Sequence, residues 1–308
     1  MKIVFLGTSG SMPTQSRSSP SIVIRREAEI IMLDCGEGTQ RRMVEARLGF
    51  RRPMKILISH LHGDHVLGLP GLLQTMTLLK REKPLQVCGP QGIVGYIEAF
   101  SSVLGGPGFP LEIYEVISQG PIFQERDYVI IAIKADHDMP SWSYVIQEHP
   151  RPGKFNPERA RDLGVPEGPS WKRLQFGEDI KLEDGRIVRS RDVVGSPNRG
   201  LKIAYSGDTR PTRAFAEAAE SADVMIHEAT FDESLKERAA ENGHSTAVQA
   251  AEVAKVADVG KLILTHISSR YLDPTILLEE AAEIFPETVI AEDLMAVEVD
   301  LESLKLAP

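Results

Sequence analysis

The stretch SHLHGDH, Ser59–His65, places three of the chain's eight histidines and one aspartate within six positions. It continues KILIS, an apolar run of the kind that forms a buried strand. His60 and His62 lie two residues apart and can face the same way. The glycine that follows permits a tight turn, which can place Asp64 and His65 at the start of the next helix. The stretch predicts a metal centre with ligands for two ions; imidazole and carboxylate ligands suit Zn²⁺, and Mn²⁺ and Fe²⁺ accept the same types.

Other strand-like runs also end on a residue that can bind a metal or move a proton. KILIS leads into His60, AIKAD into His137, IAYSG into Asp208 and LILT into His266. A lone histidine after a strand is usually a hydrogen-bonded structural residue. Four such residues, with HLHGDH among them, instead indicate one shared site, because rigid strand ends hold ligands precisely.

Short apolar runs alternate with helical patterns along the 308 residues, of which 42% are hydrophobic and 26% charged. The runs that read as strands are KIVFLG, SIVIRREAEIIMLD, KILIS, LQVCG, YVIIAIKA, SYVIQ, LKIAYSG, DVMIH, KLILTH and MAVEVD. The segments that read as helices are GLLQTMTLLKR, GIVGYIEAFSSVL, TRAFAEAAES, STAVQAAEVAKVA and PTILLEEAAEIF. In the last of these, Asp273 is the expected N-cap and Pro274 the first helical residue. The pattern predicts an α/β fold of layered sheets with helices outside them.

Composition excludes several classes of protein. Only two cysteines occur, Cys35 and Cys88, so a disulfide scaffold is excluded and a reducing cytoplasm is the expected location. The chain starts with a strand-like run and not with a signal peptide, and no apolar run is long enough for a membrane span. The net charge of −9 argues against a general nucleic-acid coat. The basic run 41–55 is either a local approach for RNA or a solvated helix face.

One long segment, residues 149–186, is polar and rich in proline and glycine. A structureless stretch of this length inside a domain is usually functional or disordered. We therefore expect a protruding arm here.

Several motifs together resemble a known family: FLGTSGSMPT, LDCGEGTQ, HLHGDH, KADH, GVPEGPSWKRLQFG, SGDTRP, HEATF, GHSTAVQAAEVAK and LTHISSRY. They are similar to the metallo-β-lactamase superfamily and, within it, to the ribonuclease Z family of tRNA 3′-end-processing endonucleases. The resemblance implies a single four-layer αβ/βα sandwich over residues 1–308, with an inserted, flexible, tRNA-binding arm at 149–190. It also implies a homodimer that removes the 3′ trailer from precursor tRNA, leaving a 3′-hydroxyl on the tRNA and a 5′-phosphate on the trailer.

The same resemblance assigns roles to individual residues. One zinc ion would be held by His60, His62 and His137, a second by Asp64, His65 and His266, and Asp208 would bridge them. A water between such ions is acidified and can attack phosphorus, while Asp64 orients it or accepts its proton. His244, beside a helix capped by Ser245 or Thr246, would protonate the departing ribose oxygen, and Glu228 would hold its tautomer. A role of His244 in the cap alone is the alternative.

The remaining candidates concern substrate. Tentative RNA contacts are Arg151, Lys154, Lys172, Arg173, Ser268 and Arg270, although capping of the following helix explains the serines almost as well. Two departures from the family pattern are Arg17-Ser18 in place of an Arg-Asn pair and Ser143-Tyr144 in place of a Gly-Tyr pair. The alternative functions are a small-molecule phosphodiesterase or thioesterase on the same fold, and a metal- or RNA-binding module without activity.

Overall fold

Two mixed β-sheets form the centre of the fold. The computed structural model describes residues 1–197 and 199–300, together with the backbone of 304–307. Among these residues the first sheet has eight strands, in the order β19 (Leu304–Ala307), β18 (Ala296–Val299), β1 (Lys2–Gly7), β3 (Ser21–Arg26), β4 (Glu29–Leu33), β5 (Met54–Leu57), β6 (Leu85–Pro90) and β7 (Leu111–Val116). The second has seven, in the order β17 (Thr288–Ile290), β15 (Leu262–Thr265), β14 (Val224–Glu228), β13 (Lys202–Tyr205), β10 (Trp142–Glu148), β9 (Tyr128–Lys134) and β8 (Gly120–Gln124). Two short pairs complete the strands, namely β2 (Ser9–Gly10) with β16 (Ile267–Ser268) and β11 (Ile180–Lys181) with β12 (Ile187–Val188).

Helices pack on the outer faces of both sheets. The helices of the first half are α1 (Thr39–Glu45), α2 (Gly63–Val66), α3 (Gly68–Leu78) and α4 (Ile93–Leu104). Those of the second half are α7 (Arg213–Ala218), α8 (Lys236–Glu241), α9 (Ala247–Val256) and α10 (Thr275–Ile284). Met43 and Leu72 of α1 and α3 pack with the first sheet. Phe215, Ala250 and Leu277 of α7, α9 and α10 pack with the second.

The inner faces of the two sheets face each other. In β1, Val4 and Leu6 belong to the cluster that packs with the helices, so the alternating Ile3 and Phe5 point to the second sheet. The Tyr144 hydroxyl of β10 crosses this interface and donates a 2.7 Å hydrogen bond to the carbonyl after β5. The order helix, sheet, sheet, helix confirms the predicted αβ/βα sandwich.

The predicted strand and helix segments are all confirmed, with small shifts of their ends. The run read as SIVIRREAEIIMLD is the hairpin β3–β4. Helix α10 begins at Thr275, one residue later than expected, while the Asp273 carboxylate accepts the Thr275 amide at 3.0 Å. Strands β7 and β8 were not predicted from the sequence, because they lie at sheet edges and have few buried residues.

The segment Glu148–Leu201 forms one of two compact units, and the other unit contains both sheets. The predicted arm, residues 149–190, lies inside it, but the segment is not structureless. It contains α5 (Pro157–Asp162), α6 (Pro169–Gln175) and the β11–β12 hairpin. Six buried apolar residues form its small core, namely Ala160, Val165, Leu174, Ile180, Val188 and Val193. Proline begins each helix, which explains how a proline-rich segment forms helices.

Candidate metal centre and active site

The predicted metal ligands lie where strands end. His60 comes shortly after β5, His137 after β9 and Asp208 after β13, and His266 directly follows β15. Strands β13, β14 and β15 are parallel, so their carboxyl ends meet at one edge of the sheet. Of the remaining three ligands, Asp64 and His65 lie in α2 and His62 is its N-cap residue. The structure brings all seven together, in overlapping groups of three whose ligand atoms lie within 4.8 Å of one another.

His60, His62 and His137 form the first group. Nδ1 of His62 lies 3.0 Å from Nε2 of His60 and 3.2 Å from Nε2 of His137. Nitrogen ligands about 2.1 Å from one tetrahedral zinc ion lie roughly 3.4 Å apart, so the spacing suits a metal. Burial holds the pKa of His60 well below its usual value and lowers the pKa of His62 as well. Both rings are therefore neutral, which is the form that binds a cation.

Asp64, His65 and His266 form the second group. The Nε2 atoms of the two histidines lie 3.3 Å apart. Oδ2 of Asp64 lies 3.6 Å from the first and 3.5 Å from the second. Burial raises the pKa of the Asp64 carboxyl, but its hydrogen bond with His266 and the charge of His65 outweigh burial and lower it. The carboxylate is therefore ionised and available as a ligand.

Asp208 reaches both groups. Its Oδ2 lies 3.6 Å from Nε2 of His60, 3.3 Å from that of His65 and 3.2 Å from that of His266. Its Oδ1 is buried and makes no hydrogen bond with any residue that the structure describes. A buried carboxylate oxygen normally has a hydrogen-bond donor or a metal as its partner. Asp208 thus has the position and the unpaired oxygen expected of a shared metal ligand.

Hydrogen bonds on the outer side of two rings fix which nitrogen carries the proton. Nδ1 of His137 donates to the carbonyl of Gly243 at 2.8 Å. A Cβ at Gly243 would lie only 2.6 Å from that Nδ1, so this contact requires glycine. The Thr230 hydroxyl donates to Glu228 at 2.7 Å and therefore accepts the 2.9 Å hydrogen bond from Nδ1 of His266. Both rings consequently direct an unprotonated Nε2 towards the centre.

Asp34, which the sequence analysis missed, fixes two further rings. Its fully buried carboxylate accepts the Ser59 amide at 2.6 Å, the Ser59 hydroxyl at 2.8 Å and the Tyr205 hydroxyl at 2.6 Å. A carboxylate only accepts, so Nδ1 of His65, 2.8 Å away, must carry a proton. The Ser59 oxygen, whose proton is used, accepts from Nδ1 of His60 at 2.9 Å. In its neutral form, each ring therefore presents an unprotonated Nε2 to the centre.

In their neutral, metal-binding forms, the four imidazoles thus direct Nε2 lone pairs at one another. Lone pairs at these distances repel unless a cation lies between them. Burial lowers the pKa of His65, yet the charges of Asp208 and Asp34 raise it well above its usual value, so this position attracts positive charge. The donor set and the unpaired Asp208 oxygen fit a pair of divalent cations.

The loop after β1, GTSGS, contacts the second group. The Ser11 amide donates to Oδ2 of Asp64 at 2.9 Å, and Ser11 adopts a left-handed φ of 59° to do so. A Cβ at Gly10 would lie 2.8 Å from the carbonyl oxygen and 2.9 Å from Nδ1 of His266. Glycine is needed here because the backbone passes directly over a ligand ring.

His244 stands beside the centre and pairs with Glu228. Its Nδ1 donates to Oε1 of Glu228 at 2.9 Å, and its ring stacks on that of His266 with centroids 5.4 Å apart. Burial lowers the pKa of His244, but the charge and hydrogen bond of Glu228 raise it to about 9. The expected contact between these two residues is present, and the ring is protonated at neutral pH.

Helix α9 begins just after His244, and its N-cap is Thr246. The Thr246 hydroxyl accepts the Gln249 amide at 3.2 Å, and the Gln249 side chain accepts the Thr246 amide at 3.0 Å. The Ala247 amide donates to the Phe231 carbonyl at 2.9 Å. Because these amides have protein partners, they are not free to bind a phosphate of the substrate.

Two of the tentative substrate contacts are Ser268, the last residue of β16, and Arg270, in the turn that follows. Arg270 is exposed, and its Nε donates to the Ser268 hydroxyl oxygen at 3.1 Å. The Ser268 hydroxyl therefore accepts a hydrogen bond from Arg270 and does not cap α10. The first amide of that helix donates to Asp273 instead.

The basic run 41–55 is less available than its composition indicates. Lys55 is buried, with its ammonium 2.7 Å from Glu29 and 3.0 Å from Glu125. Arg42 pairs with Glu45 and with Asp293. Arg42 and Lys55, two of the six basic residues in this run, are therefore not free for RNA phosphates, because their charges have acidic partners.

The predicted arm contacts are divided between two places in the Glu148–Leu201 unit. Arg151 lines a cavity of about 1120 Å³ together with Phe176 and two residues that the analysis missed, Arg189 and Arg191. Lys154 lines a smaller cavity of about 750 Å³. Lys172 and Arg173 are exposed on α6, where Arg173 pairs with Glu178 at 2.7 Å.

The chain is similar to known proteins over almost its whole length. It is 43% identical to a ribonuclease Z of Methanosarcina mazei over 301 residues, covering 97% of this chain and 98% of that protein. It is 44% identical to a ribonuclease Z of Haloferax volcanii, covering 97% and 95% respectively. The crystal structure of human tRNase Z, short form, matches with a TM-score of 0.71 and 27% identity, covering 98% of this chain and all of that one.

Two family models match parts of the chain. The model described as "Beta-lactamase superfamily domain" matches residues 192–267, and the one described as "Anti-Pycsar protein Apyc1" matches residues 1–95. Over the residues that the structure describes, none of the helices is both long enough and apolar enough to cross a bilayer.

Proposed function

The chain belongs to the ribonuclease Z family and is a tRNA 3′-processing endonuclease with a histidine and aspartate metal site, for which we propose the following chemistry and substrate contacts. The observation that carries the proposal is the convergence of three imidazole Nε2 atoms, those of His60, His65 and His266, on Oδ2 of Asp208 at 3.2 to 3.6 Å. The reaction is hydrolysis of the phosphodiester after the tRNA 3′ end. The products are a tRNA with a 3′-hydroxyl and a trailer with a 5′-phosphate.

The site is suited to two zinc ions. His60, His62 and His137 would hold the first ion, and Asp64, His65 and His266 the second, with Asp208 close enough to serve both. When bound, such ions neutralise phosphate charge and acidify the water that they contact. Mn²⁺ and Fe²⁺ use the same ligand types, and metal analysis of the purified protein distinguishes them.

The chain's own residues supply the proton transfers. Asp64 accepts the proton of the attacking water, and the Ser11 amide keeps its carboxylate in place. His244 donates a proton from Nε2 to the departing ribose oxygen, since its Nδ1 is occupied by Glu228. Glu228 fixes the tautomer and holds the ring in its charged form.

The direct test uses a 3′-extended tRNA transcript. We expect cleavage by the purified protein, its loss with a chelator and its recovery on addition of Zn²⁺. End analysis should find phosphate at the 5′ end of the trailer and a free hydroxyl at the 3′ end of the tRNA. Full activity after metal removal, verified by elemental analysis, would contradict the proposal.

The arm is proposed to bind a part of the tRNA that is distant from the scissile bond. In the Glu148–Leu201 unit, Arg151, Arg189 and Arg191 surround a cavity that also contains Phe176. Arginines around an exposed aromatic ring suit RNA phosphates and bases. Exposed Lys172 extends this basic surface, and Arg173 would add to it by exchanging its partner Glu178 for a phosphate.

The structure supplies a clean deletion for this part of the proposal. Gln147 and Lys202 are opposite each other in the antiparallel pair β10–β13, so a short turn can replace residues 148–201. We expect this variant to lose cleavage of precursor tRNA and to keep hydrolysis of a small chromogenic phosphodiester. Unchanged tRNA cleavage would refute the arm's role, and the alternative of a small-molecule phosphodiesterase or thioesterase would then gain support.

We also propose that the protein is a homodimer and acts in the cytoplasm. Family membership supports the dimer, and the free, buried cysteines Cys35 and Cys88 are compatible with a reducing compartment. Sedimentation velocity of the purified protein tests the dimer, and a single species of monomer mass would contradict it.

A further inference from the structure

We infer that Phe231, in the loop after β14, is a positioning residue that holds the Arg270 guanidinium ready for a phosphate of the RNA next to the scissile bond. The inference rests on the proposed function, in which Arg270 contacts the substrate. Phe231 itself touches neither metal ligands nor substrate in this proposal. It acts through Arg270.

The first observation is the stacking of Arg270 on the Phe231 ring. The guanidinium carbon of Arg270 lies 4.7 Å from the ring centroid. Its Nε is used by Ser268, while its two terminal nitrogens make no hydrogen bond with any residue that the structure describes. The face of the guanidinium is therefore covered, and its outer edge carries donors that match two oxygens of a phosphate.

The second observation is that the Phe231 ring is itself held in place. Only 4% of Phe231 is exposed. Its backbone forms a bridge with Thr246 and accepts the amide of Ala247, at the start of α9. On the side of the active site, its ring centroid lies 6.1 Å from that of His244. The ring thus connects the proposed proton donor with the arginine, and it fixes where the arginine lies relative to that donor.

A third contact secures the turn that carries Arg270. The Tyr271 hydroxyl donates to Oδ2 of Asp232 at 2.8 Å and accepts the Asp232 amide at 2.8 Å. The Tyr271 amide in turn donates to the Ser268 carbonyl at 3.1 Å, which closes the turn. Arg270 and Tyr271 therefore both contact the loop after β14, Arg270 through the ring face of Phe231 and Tyr271 through its hydroxyl on Asp232.

The physical benefit is a lower entropy cost when RNA binds. An exposed arginine loses much of its rotamer freedom when it binds a phosphate. A guanidinium already stacked on a rigid ring loses less, so the same contact contributes more to binding. The aromatic face also attracts the cation directly.

The test is a double-variant cycle on the metal-loaded enzyme with a 3′-extended tRNA transcript. The variants are Phe231→Leu, Arg270→Gln, the double variant, and Phe231→Tyr, which retains the ring. Arg213→Gln is the matched control, because Arg213 is an exposed arginine on α7 whose partner is Glu217. For each, kcat/KM is measured over a series of KCl concentrations, and thermal unfolding checks the fold.

We expect Arg270→Gln to lower kcat/KM about tenfold or more and to reduce the slope against log salt by roughly 0.7, the value for one lost contact to single-stranded phosphate. Phe231→Leu should lower kcat/KM roughly two- to fivefold and flatten the slope in the same direction. The double variant should be no worse than Arg270→Gln alone, and Phe231→Tyr should be within about twofold of the wild type.

The outcomes separate the two ideas. If Arg270→Gln has neither effect, the proposed phosphate contact is wrong. If Arg270→Gln has both effects but the loss from Phe231→Leu simply adds to it, or leaves the salt slope unchanged, the contact stands and the positioning role of Phe231 is wrong.

Discussion

Asp34 offers the sharpest test of the metal centre. It is not itself a proposed metal ligand, yet it orients His65 directly and His60 through Ser59. The change Asp34→Asn keeps the shape of the side chain and replaces one oxygen by an NH₂ group. The backbone amide of Ser59 still requires the remaining oxygen. The new NH₂ must then face the two hydroxyls and Nδ1 of His65, at the position of Oδ2.

The hydroxyls of Ser59 and Tyr205 can adapt by rotating to accept. His65 cannot, because two donors would meet at about 2.8 Å unless the ring moves its proton from Nδ1 to Nε2. A proton on Nε2 occupies the lone pair that faces Asp208 and His266. Loss of a partner behind a ligating histidine typically weakens metal affinity by about 10- to 100-fold, or roughly 1.4 to 2.8 kcal/mol. We expect a loss in this range at the second group only.

The assay is competition for Zn²⁺ between the metal-free protein and a chromophoric chelator. The wild type should show two bound ions per chain, and Asp34→Asn should retain one tight and one weakened site. Asp223→Asn is the matched control, since Asp223 is also a buried carboxylate that accepts a backbone amide, at the opposite end of β14. Wild-type affinity at both sites of Asp34→Asn, with normal circular dichroism, would refute the tautomer argument.

Two further changes test neighbouring parts of the site. Glu228→Gln removes the charge that raises the pKa of His244 to about 9, so the alkaline limb of the kcat profile, where a protonated donor is lost, should move to lower pH; an unmoved limb would exclude His244 as the donor. Gly10→Ala should weaken Zn²⁺ binding and activity because its methyl group would displace His266, whereas Gly106→Ala, in open space, should change neither in the same titration and cleavage assays.

The metal ligands could be predicted from sequence because their signals are local. Each ligand comes at or shortly after the end of an apolar strand run, and HLHGDH contains four of the seven within six positions. The same rule fails for Asp34, although it follows β4. Its role depends on Ser59 and His65 of one segment and on Tyr205 of β13, and these residues meet Asp34 only in the folded chain.

The fold was predictable where segments are long and buried, and less so elsewhere. Edge strands β7 and β8 are half exposed, so their apolar pattern is weak. The short helices of the Glu148–Leu201 unit have six and seven residues, too few for a clear helical period, and their small core combines residues from 160 to 193. Whether this unit projects from the fold and moves stays a prediction.

The metal ligands come from both sheets, and this has a consequence for the folding and stability of the chain. His60 and His62 follow the first sheet, whereas Asp208 and His266 follow the second. A nascent chain cannot complete the site until almost all of it has left the ribosome. Bound ions would then link the first sheet to the second. At a free ion concentration a thousandfold above the dissociation constant, one such ion adds about 4 kcal/mol against unfolding. Scarcity of metal in the cell would therefore shorten the lifetime of the protein and also abolish its activity.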